Sequence, residues 1–187
     1  VSFAIILPLY NVSNIGKVIL VTLQKLSLLS KPIENKEFVG GRPSFYSRKL
    51  PNGLAILALV QLKKLERFNE HRKSIASLYM EKLGDLPLVP PKTKNGDIFL
   101  RFPVFLANGV RRNTLLAELK KRGILLGKWY GHVIDPEEVD LEKVYYRKGN
   151  CPIAEQVARR VLNLPTYPTF TLEEAKKLVL LLKGLTK

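Results

Sequence analysis

The chain has 187 residues, 46% of them hydrophobic, enough for one domain or slightly more with its own core, which excludes a disordered segment. Its 31 Lys and Arg against 16 Asp and Glu leave a net charge of +15, so its field favours anions: phosphate, nucleotides, nucleic acid, acidic membranes or an acidic partner. One cysteine, Cys151, permits no internal disulfide, and with only two histidines beside it a structural zinc site is excluded.

From the N-terminus, VSFAIILPLY carries no basic residues ahead of its apolar run, which argues against a signal peptide. The apolar runs at 3–10 and 18–23 are broken by Asn11, Ser13, Asn14, Gly16 and Lys17, short of the ~18 apolar residues of a membrane span. Residues 1–45 are expected to pack against mass upstream, as the remnant of or connector from a preceding domain, with 46–187 forming a small domain.

The longest periodic stretch comes after a polar, Gly- and Pro-bearing connector. Leu54, Ala58, Leu62, Leu65, Phe68, Ile75, Tyr79 and Leu83 recur near the 3.6 period, predicting one helix over 52–83, capped by Asn52 and ended by Gly84. About 30 residues of helix span ~45 Å, more than a small domain needs, so the helix should bridge two bodies. In DIFLRFPVFL, the alternation of Ile98, Leu100, Phe102, Val104 and Leu106 predicts a half-buried strand, with Pro103 marking an edge or a bulge.

NGVRRNTLLAELKKRGI reads as turn, helix and stop, with Leu115, Leu116 and Leu119 inward and Gly123 just past the end. Residues 124–130, ILLGKWY, read as a second strand, with Trp129 buried at its end. DPEEVD, 135–140, is a turn rather than an acid/base pair, because nothing there supplies burial. In CPIAEQVARRVLNLPTYPTFTLEEAKKLVLLLKGL, Ile153, Val157 and Val161 repeat every four residues, and Pro165 with Pro168 form a hinge before a second helix. There Thr171 and Glu174 make a capping box, Phe170 staples against Ala175, and Leu172, Leu178, Val179 and Leu182 face inward. The expected fold is α+β, helices on a short, mainly antiparallel sheet. His71 reads as a solvated helix residue, Cys151 as structural, and the basic run 111–122 as a solvated helix face.

LPNGLAILALVQLKKLERFNEHR, RRNTLLAELKKRGI and YYRKGNCPIAEQVARRVLNLPTYPTFTLEEAKKLV together resemble the C-terminal part of the DegT/DnrJ/StrS-type sugar aminotransferases, over roughly 46–183. The most specific stretch is CPIAEQVARRVLNLPTYP. The resemblance implies the small C-terminal domain of a fold type I enzyme that uses pyridoxal 5'-phosphate, α/β overall.

It also implies a cytoplasmic homodimer that transfers an amino group from an amino acid, glutamate foremost, to a keto-sugar, nucleotide-linked, in polysaccharide or cell-surface sugar biosynthesis. The Schiff-base lysine belongs to the large domain in that family, so no catalytic residue is assigned in this chain. SRKL stands where the family carries N-x-R-M, which places Ser47, Arg48 and Lys49 at the cofactor phosphate of the neighbouring subunit. Tyr130 and His132 fall in the stretch that lines the sugar site. No metal site is expected. The alternative is a basic, non-enzymatic module for nucleic acid or an acidic partner, weakened by the lack of aromatics among the basic residues.

Overall fold

A computed structural model of the chain describes residues 15–26, 28–29, 33–44, 46–94, 96–107, 109–126 and 131–186. By contacts the chain divides after Ser47 into two units. The first carries helix α1 (Ile15–Lys25) and a short 3₁₀ turn, Asn35–Val39. Glu34 fastens the turn to Ser44: its carboxylate accepts from the Ser44 N–H at 2.9 Å and from the Ser44 hydroxyl, and it pairs with Lys36. Those contacts, the Ser44 hydroxyl first, hold the Glu34 carboxyl below its usual range.

The second unit is α+β. It runs α2 (Asn52–Leu62), α3 (Leu65–Lys82), β1 (Leu88–Val89), β2 (Arg101–Leu106), α4 (Arg112–Lys121), α5 (Pro152–Arg160), β3 (Val161–Pro165) and α6 (Leu172–Leu185). The sheet is antiparallel in the order β1-β2-β3. Register decides the core: Phe102 lies opposite Leu164 and Val104 opposite Leu162, and all four are buried on the face covered by Ile75 and Tyr79 of α3, Leu115 and Leu119 of α4, and Leu178 and Leu182 of α6.

Several sequence expectations meet corrections here. The single helix over 52–83 is two. At residues 63–64 the ladder tightens, the Lys64 N–H donating to the Gln61 carbonyl three residues back at 3.0 Å, and α3 starts afresh. Asn52 is the first helical residue rather than the cap, which is Pro51. Of the predicted alternating face, Phe102, Val104 and Leu106 are buried, whereas Ile98 and Leu100 precede the strand and are exposed. β2 is the central strand. Pro103 is tolerated because β1 pairs only as far as Phe105, so among the described residues β2 has no strand neighbour on that side at the proline. Residues 124–126 form no strand, and the rest of that predicted strand, Trp129 included, lies outside the described residues.

The largest correction is β3. Helix α5 ends at Arg160, and the next residue is already extended, with Val161 at φ −74, ψ 138. VLNLP is therefore a strand rather than the tail of a helix and a hinge, and Ile153 and Val157 of α5 are exposed instead of forming a buried stripe. The stretch 165–170, which leads out of β3, is pinned by three hydrogen bonds. The Tyr79 hydroxyl donates to the Pro165 carbonyl at 3.0 Å, the Thr166 hydroxyl to the Phe99 carbonyl at 2.7 Å, and His71 Nε2 to the Phe170 carbonyl at 2.9 Å. His71 is thus a structural donor, not a solvated residue. Burial raises the Tyr79 phenol well above its ordinary value, with a smaller contribution from Tyr167.

Other expectations stand. The N–H of Gly123 (φ 78) donates to the Lys120 carbonyl at 3.0 Å, and the Ile124 N–H to the Leu119 carbonyl at 3.0 Å, which together form a Schellman close to α4. Leu115 and Leu119 face the core and Leu116 packs against it. Thr171 and Glu174 form the capping box of α6, with Phe170 and Ala175 buried together; Leu172, by contrast, is exposed.

Candidate functional site

Between the end of α4 and the start of α5 the described residues, 122–126 and 131–151, form no helix or strand, and the part over 131–150 closes over both helices. A cavity of about 340 Å³ lies beneath. Its wall from this loop includes His132, Glu137, Leu141 and Tyr146, and its helix wall includes Arg112 of α4 and Arg159 of α5. The helix side is held by two guanidinium groups. Arg112 Nη1 donates to the Ala158 carbonyl at 2.5 Å and Arg160 Nε to the Leu106 carbonyl at 2.7 Å, so the last turn of α5 is tied to its neighbours. Arg112 Nε is buried without a hydrogen-bond partner.

Among the described residues, one carboxylate oxygen holds the loop side from α5. Glu155 Oε1, in the first turn of α5, accepts from the Tyr146 hydroxyl at 2.7 Å and from the Gly149 N–H at 2.5 Å. The Gly149 bond first, then the Tyr146 bond, keep the Glu155 carboxyl below its usual range, and Arg159 and Lys148 add to the effect. The partner moves the other way, the Tyr146 phenol being pushed up to about 12 by the hydrogen bond to Glu155. Gly149 at φ 97 takes a conformation open to glycine, and Tyr145 at φ 58 takes one that a side chain disfavours.

His132 is half-exposed, with Nε2 3.6 Å from Glu137 and Nδ1 3.9 Å from Asp135. It also borders a second, wider groove of about 930 Å³ on the sheet face opposite the core, floored by Leu100, Pro103 and Phe105 and walled by Val157. His132 is therefore the expected site residue that the structure places in a cavity. Tyr130 lies outside the described residues.

Ser47 is exposed with φ 73, and Arg48 and Lys49 are exposed, without hydrogen-bond or ion-pair partners among the described residues. Neither cation lines either cavity. Residues that sequence reasoning did not single out are Arg112, Tyr146, Lys148, Glu155 and Arg159. The signal for Glu155 was present in YYRKGNCPIAE, where a carboxylate comes after a glycine turn onto a helix start, but its partners are local only in the folded loop. Among the described residues no three His, Cys, Asp or Glu side chains converge as metal ligands, and no helix is long and apolar enough to cross a membrane.

Helices on a small three-stranded antiparallel sheet form an α+β arrangement that the chain shares with part of solved fold type I aminotransferases. The profile of the DegT/DnrJ/EryC1/StrS aminotransferase family matches residues 23–183, and the chain belongs to that family. A DegT DnrJ EryC1 StrS aminotransferase from Brucella abortus is similar at 26% identity and a TM-score of 0.56, over 68% of this chain and 34% of that one. The GDP-4-keto-6-deoxy-D-mannose-3-dehydratase of E. coli, solved with bound hydrated PLP, is similar at 25% identity and a TM-score of 0.57, over 66% of this chain and 33% of that one. DesV of S. venezuelae, solved with a ketimine intermediate, shares the fold at 24% identity and a TM-score of 0.63, over 80% of this chain and 42% of that one. The chain thus spans between a third and 42% of the length of these solved relatives.

Proposed function

We propose that this chain forms the small domain, with its connector, of a homodimeric, pyridoxal-phosphate-dependent sugar aminotransferase of the cytoplasm. It would transfer an amino group from an amino acid such as glutamate to a nucleotide-linked keto-sugar, in the building of polysaccharide or cell-surface sugars. The observation that carries this reading is the family match across 23–183. It favours an enzyme over a basic binding module, whose only support is the charge of +15.

Bound pyridoxal phosphate acts as an electron sink for the amino-transfer chemistry. This chain's own contribution is to position and to charge. Arg48 and Lys49, exposed and unpaired among the described residues, are chemically suited to a phosphate: one offers a planar fork of donors, the other a point charge. Ser47 adds a hydroxyl donor. In this proposal the three serve the cofactor phosphate of the neighbouring subunit. His132, beside two carboxylates at a cavity mouth, orients the sugar together with Tyr130, and the apolar groove behind it keeps water off.

The test is complementation between subunits of the complete enzyme. A dimer with Arg48 and Lys49 both replaced by Ala should lose cofactor on dialysis, seen as falling cofactor absorbance, because each charge-assisted bond contributes about 1.5 to 3 kcal/mol. Mixing it with a variant lacking the Schiff-base lysine should restore activity, since one mixed site keeps both the lysine and an intact segment. Full cofactor retention by the double variant, or no recovery after proven subunit exchange, overturns the assignment.

A further inference from the structure

The loop over 131–149 supplies a whole wall of the smaller cavity yet contains no helix or strand that could hold it in place. Its described internal hydrogen bonds are short-range turns: the Val139 N–H to the Pro136 carbonyl, Val144 to Asp140, Tyr145 to Glu142 and Tyr146 to Leu141, with the Lys143 N–H on the Asp140 side chain. Such turns shape a loop but do not anchor it to anything. Leu141 and Ile134 line the cavity rather than entering the main core, so apolar burial gives limited anchorage as well. One side chain outside the loop takes two donors from it. Glu155 accepts from the Tyr146 hydroxyl and the Gly149 N–H on the same oxygen, and it sits on a helix whose far end is tied down by Arg112 and Arg160.

We propose that Glu155 is a positioning residue: a latch that fastens the loop carrying His132 and Tyr146 onto α5 and so keeps the cavity preformed. It touches no ligand in this scheme. Two details favour a latch over an ordinary helix-start carboxylate. Glu155 reaches backwards past its own helix cap, Cys151, to a residue six positions earlier, and it spends both bonds on the loop. The loop also takes a left-handed conformation at Tyr145, beside Tyr146, a strained point that is held by contacts around it rather than by its own preference. The consequence for binding rests on the cavity being the substrate site proposed above; the latch itself does not.

Because both donors use Oε1, substitution separates shape from loss. E155Q keeps an acceptor oxygen in place and should hold the loop nearly as the parent does. E155A removes the acceptor. In the full-length protein, amide hydrogen exchange by mass spectrometry should show peptides within 131–149 exchanging about tenfold faster or more in E155A, the factor implied by losing a charge-assisted hydrogen bond, while β2 and β3 keep their protection. A second signature is spectroscopic: the Tyr146 phenol, held up to about 12 in the parent, should ionise nearer to 10 in E155A.

Unchanged exchange in the loop, or loss of protection in E155Q as large as in E155A, overturns the latch. Should E155A fail to fold, Y146F removes one donor and leaves the carboxylate with Gly149. Exchange must then quicken over 131–146 and hold at Gly149; no quickening overturns the proposal. A cavity that turns out to bind no sugar leaves the exchange result standing, so failure of the latch and failure of the proposed function are read separately.

Discussion

At the scale of single residues, the fold depends on a few buried polar atoms that close the gap between β3 and α6. Thr166 has no exposed surface, and its hydroxyl meets the Phe99 carbonyl. T166V keeps the shape and deletes the donor, leaving that carbonyl without this partner, so it should lower stability by about 1 to 3 kcal/mol. Urea unfolding checks this through a lower midpoint at unchanged slope. Gly123 is a second such point. At φ 78 a Cβ meets no neighbour but strains the backbone, so G123A should cost about 1 kcal/mol through conformation alone. Neither change touches the candidate site, and neither should alter loop exchange over 131–149.

At the scale of elements, α6 is the most self-explanatory helix. The Thr171 N–H donates to Glu174 at 2.7 Å, and the Glu174 N–H to the Thr171 hydroxyl at 3.2 Å. T171A should cost about 1 kcal/mol. The Thr171 backbone bond, then its hydroxyl, holds the Glu174 carboxyl below its ordinary value. A carboxyl whose folded value is depressed stabilises the fold fully above its unfolded value and loses that contribution as pH falls through the folded one. The stability difference between the parent and E174Q should therefore close as pH drops below about 4, measured as thermal midpoints across an acid series. A gap that widens in acid contradicts the sign.

The cap, the α4 close and the core face of β2 were legible in sequence because each depends on residues three or four positions apart, or on strict alternation. β3 was not, because Val161 fell in step with Ile153 and Val157, and a period of four imitated one helix face. The alternation of Leu162, Leu164 and Thr166 was the competing signal, and pairing with β2 decides in its favour. Of the residues lining the candidate cavity, sequence singled out His132 alone, since the Glu155 contacts form between residues whose spacing signals nothing until the loop is folded.

At the scale of the whole molecule, α2 stands apart. Leu54, Ile56, Leu57 and Leu59 are 53%, 62%, 59% and 59% exposed, and the apolar residues occupy every side of the helix. A helix apolar all round belongs inside something. In the proposed enzyme, α2 is a surface for the rest of the assembly. The 187-residue chain by itself should associate with rising concentration in sedimentation velocity, and I56E combined with L59E should shift it towards monomer while keeping its helical circular dichroism. A parent chain that stays monomeric at high concentration refutes the expectation. Against this adhesive end, the join of α5 to β3 has no slack, Arg160 ending one element and Val161 beginning the next. Adding a single residue there would turn the helix by about 100° against the sheet, or move every β3 side chain to the opposite face. Descendants of this sequence can therefore vary at the α5–β3 join only by substitution, never by length.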